Sequence, residues 1–189
     1  IDEINSYKDT PSELIFDEFE ELFFNNHELA ANILGTEESL QQMNVGDVRD
    51  VYSKRYVSER LIISYVGGVD LDLVLSYIMN YFTALRKNDE CVPLRINFTG
   101  NPLFAKTFKR ETYQTHCMLG AQAPSMYAND KTAMVLLNNL LGGTSFNALL
   151  NLSLREERGL TYNIESNYTA YTDVGICTIY FGTDEDKVT

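Results

Sequence analysis

No apolar run in the chain approaches the roughly 18 residues that a membrane-spanning helix needs; the longest, "LIISYVGGV" at 61–69, is strand-sized. Basic residues are also scarce, with 15 Lys and Arg against 27 Asp and Glu, for a formal net charge of −12. Phosphate binding depends on clustered cations, so this balance excludes nucleic acid as a partner. The acidity serves solubility first, and it also sets up a field that favours basic peptides. Only three cysteines occur, Cys91, Cys117 and Cys177, with no CxxC spacing. They form no disulfide framework on that pattern and read as reduced thiols of a cytoplasmic protein, with the periplasm as the alternative compartment. The two histidines, His27 in a polar loop and His116 in a strand, have no His or Cys partner at ligand spacing. GxGxxG, GxxxxGK(S/T) and GxSxG are all missing. Gly67-Gly68 is therefore read as a turn, and Ser145 in "GGTSF" as a helix start.

What is present is a sequence of clear local signals. Thr10-Pro11-Ser12-Glu13 predicts a helix start, with Thr10 as N-cap, Pro11 at the first helical position and Glu13 reaching back in a capping box. From Pro11 to Phe24, Leu14, Ile15, Phe19, Leu22 and Phe23 fall on one stripe, opposite Asp17, Glu18, Glu20 and Glu21. A short helical piece follows, then a turn from Thr36 to Met43. Asn44 caps a helix through Tyr56 whose inner face carries Val48, Val51, Tyr52 and Tyr56. "RLIISYVGGVD" reads as a buried strand, and Asp70 caps a long helix bearing Leu71, Val74, Leu75, Ile78, Tyr81 and Phe82.

"RKNDECVPLRINFTGNP" then mixes charge, Pro, Gly and Asn in the manner of a linker. Beyond it, "AKTFKRETYQTHCMLGAQAP" alternates like one or two strands. A helix capped by Asn129 or Asp130 runs to Leu141 and is stopped by Gly142-Gly143, and a further helix spans Ser145 to Glu157. "LTYNIESNYTAY" and "VGICTIYFGT" form two antiparallel strands joined at Thr172-Asp173, and "DEDKVT" opens another helix. The class is α+β. Residues 1–88 read as the rear of one domain, 89–105 as a linker and 106–189 as the front of a second. Both ends read as cut from longer elements.

Two places stand out chemically. Glu3 is a carboxylate between two isoleucines, which by itself reads as a frayed helix end. Arg155-Glu156-Glu157-Arg158-Gly159-Leu160-Thr161-Tyr162 runs from a helix end through a glycine into a strand. A guanidinium and a phenol at a sheet mouth can grip a carbonyl or support an oxyanion. The same residues also read as a helix-end ion pair followed by a strand tyrosine.

"LLNNLLGGTSFNALLNLSLREERGLTYNIES", with "YTDVGICTIYFGTDEDKV", resembles the second homologous domain of zinc peptidases of the insulinase and pitrilysin family, which includes the mitochondrial processing peptidase. "EINSYKDTPSELIFDEFEELFFNNHELAANILGTEESLQQM" and "YVGGVDLDLVLSYIMNYF" resemble the later part of its first domain. The resemblance covers essentially the whole chain and keeps the family's order. It implies two homologous α/β sandwich units, each an antiparallel-rich sheet with helices on one face, and both incomplete here.

The resemblance further implies a zinc metalloendopeptidase that cleaves unfolded peptides in a two-domain chamber. In that family HxxEH supplies two histidine ligands and the general base. Glu3 matches the position of the third zinc ligand. Arg155 and Tyr162 match the pair that holds the substrate backbone and supports the tetrahedral intermediate. Asn147 departs from the pattern, standing where a basic residue is usual. No HxxEH occurs in these 189 residues, so the chain alone is expected to be inactive and to hold no zinc. Implied partners are a peptide substrate and a second homologous half, in the same chain or as a homo- or heterodimer. The alternative within the family is a non-catalytic scaffold or substrate-recognition subunit.

Overall fold

The computed structural model describes residues 1–82 and 96–188. Cys91 and the first part of the 89–105 linker lie outside the described residues. The described residues gather into two compact units, one made of Ile1–Thr36 together with the chain from Ile96 onward, the other starting at Glu37.

In the first unit, α1 (Asp2–Lys8) is followed at once by α2 (Pro11–Phe23), with Pro11 in the first turn as the sequence predicts. Thr10 is the N-cap, but it makes no capping bond. Its hydroxyl donates instead to the Ser6 carbonyl at 3.2 Å. The free carbonyls at the end of α1 offer an acceptor within reach, and the Glu13 amide bonds to the Thr10 backbone carbonyl at 2.9 Å.

Three antiparallel strands, β1 (Thr115–Ala123), β2 (Asn163–Ala170) and β3 (Gly175–Thr183), form one sheet in the order β1-β3-β2. The hairpin β2–β3 pairs Asn163 with Gly182 and Ala170 with Gly175, around the turn expected at Thr172-Asp173. Residues 105–114, read as strand, carry none. The sheet class is thus α+β with antiparallel pairing throughout.

Side chains alternate across a strand, and the two faces have different covers. Phe16 of α2 packs its ring 5.3 Å from that of Tyr180, and Phe19 lies over Gly120, where an added Cβ would meet the ring at 2.6 Å. The opposite face receives α6 (Lys131–Gly142), where Ser166 donates to Asn138 Oδ1 at 2.6 Å. Gly142 is the contact residue: a Cβ there would come within 2.7 Å of the Ser166 amide nitrogen. Gly142 and Gly143 were expected to end α6 by glycine's conformational freedom. Neither has positive φ, and Gly143 leaves the helix in an extended conformation. The structure needs Gly142 for close approach instead.

The core of this unit joins Phe23 and Phe24 to Val174 and Ile176, with Phe98 and Tyr171 packed against them. His116 stacks on Tyr180 and shares a 2.9 Å hydrogen bond with its hydroxyl. Burial pushes the His116 imidazole below the ordinary histidine value of 6.5. A lowered folded-state value means that the unfolded chain takes up the proton first. The stability contributed by neutral His116 is therefore full above about pH 6.5 and declines as pH falls through that value toward the lower folded-state pKa. Denaturant midpoints measured between pH 7.5 and 5.5 should fall, and His116→Gln should flatten that dependence.

The second unit keeps the local signals but not the expected burial. Beyond α3 (Glu37–Gln42), Asn44 and Asp47 form a complete capping box in α4 (Val45–Arg55), and in α5 (Leu71–Phe82) Asp70 accepts from the Asp72 amide at 2.9 Å. The predicted inner face of α4 is exposed at Val48, Val51, Tyr52 and Tyr56. Residues 61–66, expected as a buried strand, carry no strand pairing, and Ile62 and Val66 are 90% and 99% exposed. A strand needs a neighbour for its N–H and C=O groups. Among the described residues of this unit there is none.

Candidate functional site

The end of the β2–β3 hairpin is built from a tight run of backbone and hydroxyl bonds. A π-helical turn, Asn151–Glu156, closes with the Glu157 amide on the Leu152 carbonyl at 2.9 Å. The helix expected from Ser145 to Glu157 begins only at Leu149 and is wider than an α-helix over Asn151–Glu156. Such insertions are rare and recur at functional sites. Gly159, at φ +59°, turns the chain out of the helix, while the Leu160 amide reaches back to the Leu154 carbonyl at 2.9 Å. A residue with a Cβ is strained in that conformation, which is why glycine stands between Arg155 and Tyr162.

Thr161 and Thr183 then lock the strand ends. The buried Thr161 hydroxyl lies 2.8 Å from the Gly182 carbonyl, and the Thr183 hydroxyl donates to the Leu160 carbonyl. The Tyr162 amide donates to the Gly182 carbonyl at 2.9 Å. Tyr162 thus sits one residue before β2 on a braced backbone, with its side chain 55% exposed.

Arg155 lies on the π-helical turn, exposed, and meets Glu156 through Nε at 3.7 Å. A pair this long and this solvated holds the guanidinium weakly. Tyr162 donates its phenolic proton to Asp184, whose Oδ1 and Oδ2 lie 3.1 and 3.2 Å away. Lys187 donates to Asp184 Oδ2 at 2.8 Å and lies 5.9 Å from the centre of the Tyr162 ring. The Lys187 ammonium, and after it the Tyr162 hydroxyl, hold the Asp184 carboxyl below the usual carboxylate range. Asp184 in turn raises Lys187.

Chemically, Arg155 presents donors suited to a carbonyl or oxyanion, and Tyr162 presents a phenol oxygen. Each has its own local partner, Glu156 for one and Asp184 for the other, so both the ion pair and the strand-end tyrosine of the simpler reading are present. Glu3 occupies the exposed first turn of α1. Among the described residues no hydrogen bond or ion pair links it to Arg155 or Tyr162. Nor do the described residues contain any group of three or more His, Cys, Asp and Glu able to hold a metal ion. The donor set among the described residues therefore does not fit a closed zinc site. Asp184 and Lys187 escaped the sequence reading. Their signal was an i, i+3 charge pair just past a strand, and only the β2–β3 register brings it to Tyr162.

The sequence matches the family model described as "Peptidase M16 inactive domain" over residues 42–189. It is 31% identical to an uncharacterized zinc protease of Bacillus subtilis, over 99% of this chain and 45% of that protein. It is 28% identical to an uncharacterized zinc protease of Mycobacterium leprae, over 95% of this chain and 41% of the relative. The chain thus spans less than half the length of these curated relatives. Among solved structures, a peptidase M16 inactive domain from Pseudomonas fluorescens superposes with a TM-score of 0.75 at 23% identity, covering 95% of this chain and 43% of that one. A protease from Helicobacter pylori gives 0.78 at 18% identity, over 94% and 44% of the two chains. A chain of complex III2 from Candida albicans gives 0.79 at 14% identity, over 96% and 44%.

Proposed function

The chain belongs to the peptidase M16 family, and from that premise we propose that it is part of a zinc metalloendopeptidase acting on unfolded peptides in a chamber closed by two homologous halves. In this reading the first half includes residues 1–88, the second begins at about residue 106, and 89–105 joins them. The metal would be held by Glu3 together with two histidines supplied from outside these residues. Zinc, when bound, would supply an activated water.

The observation that carries the reading is the Arg155–Tyr162 segment. A π-helical turn, a left-handed glycine and a locked strand end hold a lightly paired guanidinium and an exposed phenol on the same short run. Arg155 binds the carbonyl of the scissile peptide and supports the charge that grows on its oxygen. Tyr162 holds the peptide backbone beside it. Residue 147, an Asn, contributes no cation to the subsite.

The test is the full-length protein against an unstructured peptide. Arg155→Ala is expected to lower kcat/KM on the order of 100-fold, with the unfolding midpoint unchanged because the side chain is exposed. A second reading, a non-catalytic scaffold or recognition subunit, is favoured by the description of the matching family model as an inactive domain. It predicts no cleavage by the full-length protein and no loss to measure on Arg155→Ala.

A further inference from the structure

Tyr162 is exposed, and a free phenol at the end of a sheet would rotate through its two-fold χ2 wells and point its proton to water. Here it is held. Its hydroxyl faces both oxygens of Asp184, and the Lys187 ammonium bridges the pair by bonding Asp184 Oδ2 at 2.8 Å and covering the ring. Asp184 begins a short 3₁₀ turn, Glu185–Lys187, and stands at its N-cap, yet its side chain makes no capping bond. Asp is strongly favoured as an N-cap because its oxygens satisfy backbone amides. At this position both oxygens are directed to side chains instead.

The backbone makes the arrangement stiff. Asn163 pairs with Gly182, so Tyr162 and Asp184 lie just past the last registered pair of the β2–β3 ladder. The Tyr162 amide and the hydroxyls of Thr161 and Thr183 tie the two strand ends together there. The distance between phenol and carboxylate is thus set by the sheet and not by loose side chains.

We propose that Asp184 is a positioning residue for substrate binding: its carboxylate, steadied by Lys187, accepts the one hydrogen bond that Tyr162 can donate and fixes the phenol so that its oxygen accepts from the N–H of a bound peptide. A phenol has one proton and two lone pairs. With the proton committed to Asp184, the oxygen is left as an acceptor, while Arg155 is a donor only. The two side chains then read opposite polar groups of the peptide backbone. This rests on the role given to Tyr162 above.

The experiment is a double-mutant cycle in the full-length peptidase, with kcat and KM for an unstructured peptide as readout. Asp184→Ala should lower kcat/KM roughly 5-fold, the loss expected for one hydrogen bond. Asp184→Asn keeps an acceptor oxygen and should retain most of the activity. On a Tyr162→Phe background, Asp184→Ala should have no further effect. Equal losses on both backgrounds would show that Asp184 acts elsewhere and would overturn the proposal while leaving Tyr162 its role. If Tyr162→Phe matches the parent protein in kcat/KM, the role of Tyr162 falls and Asp184's with it, whereas Arg155→Ala still reports on the cleft by itself.

Discussion

Glu3→Gln in the full-length protein is expected to remove bound zinc and peptide cleavage together. An ionised carboxylate contributes charge as well as an oxygen to a zinc ion, and in the proposed site with two neutral histidines Glu3 would be the sole anionic protein ligand. The amide oxygen of Gln keeps the shape and loses the charge. Changes to the groups that hydrogen-bond a zinc ligand already cost about 10–100-fold in affinity or activity, so replacement of a ligand should exceed that range. Glu3 lies in the exposed first turn of α1, so the unfolding midpoint of the metal-free protein should not move. Measuring metal content by elemental analysis alongside cleavage separates the outcomes. Loss of both supports the ligand role. Unchanged zinc with unchanged cleavage makes Glu3 a solvated carboxylate on α1.

The largest effect on stability should come from Phe24→Ala. Phe24 is 0% exposed and stands where α2 ends. Its ring meets Phe23 at 4.9 Å, Phe98 at 5.1 Å and Tyr171 at 5.7 Å between ring centres, all three close to edge-on. It therefore joins α2, the chain after residue 96 and the β2–β3 turn in one cluster. Truncation should destabilise the protein by about 3–5 kcal/mol, the range for buried Phe→Ala. The void has little chance to collapse, because its walls come from three separate segments. Asn101 adds to the rigidity by donating to the Leu22 and Phe23 carbonyls at 2.8 and 3.2 Å. Denaturant titration reads the loss directly. By contrast, Val51→Ala on the exposed face of α4 should stay within about 0.5 kcal/mol, as surface changes do.

That contrast bears on what could be read in advance. Phe23 and Val51 both sat on apolar stripes of amphipathic helices. Only Phe23 is buried. A stripe says which side of a helix will seek cover, and what covers it depends on residues distant in the chain.

The sequence by itself determined the features whose bonds close locally, within one helical turn or across one hairpin. Asn44 and Asp47 make their capping box, Asp70 takes its amide, Pro11 starts α2, and the apolar alternation on either side of Thr172-Asp173 becomes β2 and β3. It also carried the family likeness, because the "REERGLTY" segment holds its distinctive residues in one short stretch. Tertiary structure decided the rest. It denied residues 61–66 a strand partner, required Gly142 for the approach of α6 to Ser166, and brought Asp184 to Tyr162. Each of these depends on a group the local pattern does not contain. A strand is stable only against its neighbour, and a side chain commits its hydrogen bond to whichever partner the folded backbone brings within reach.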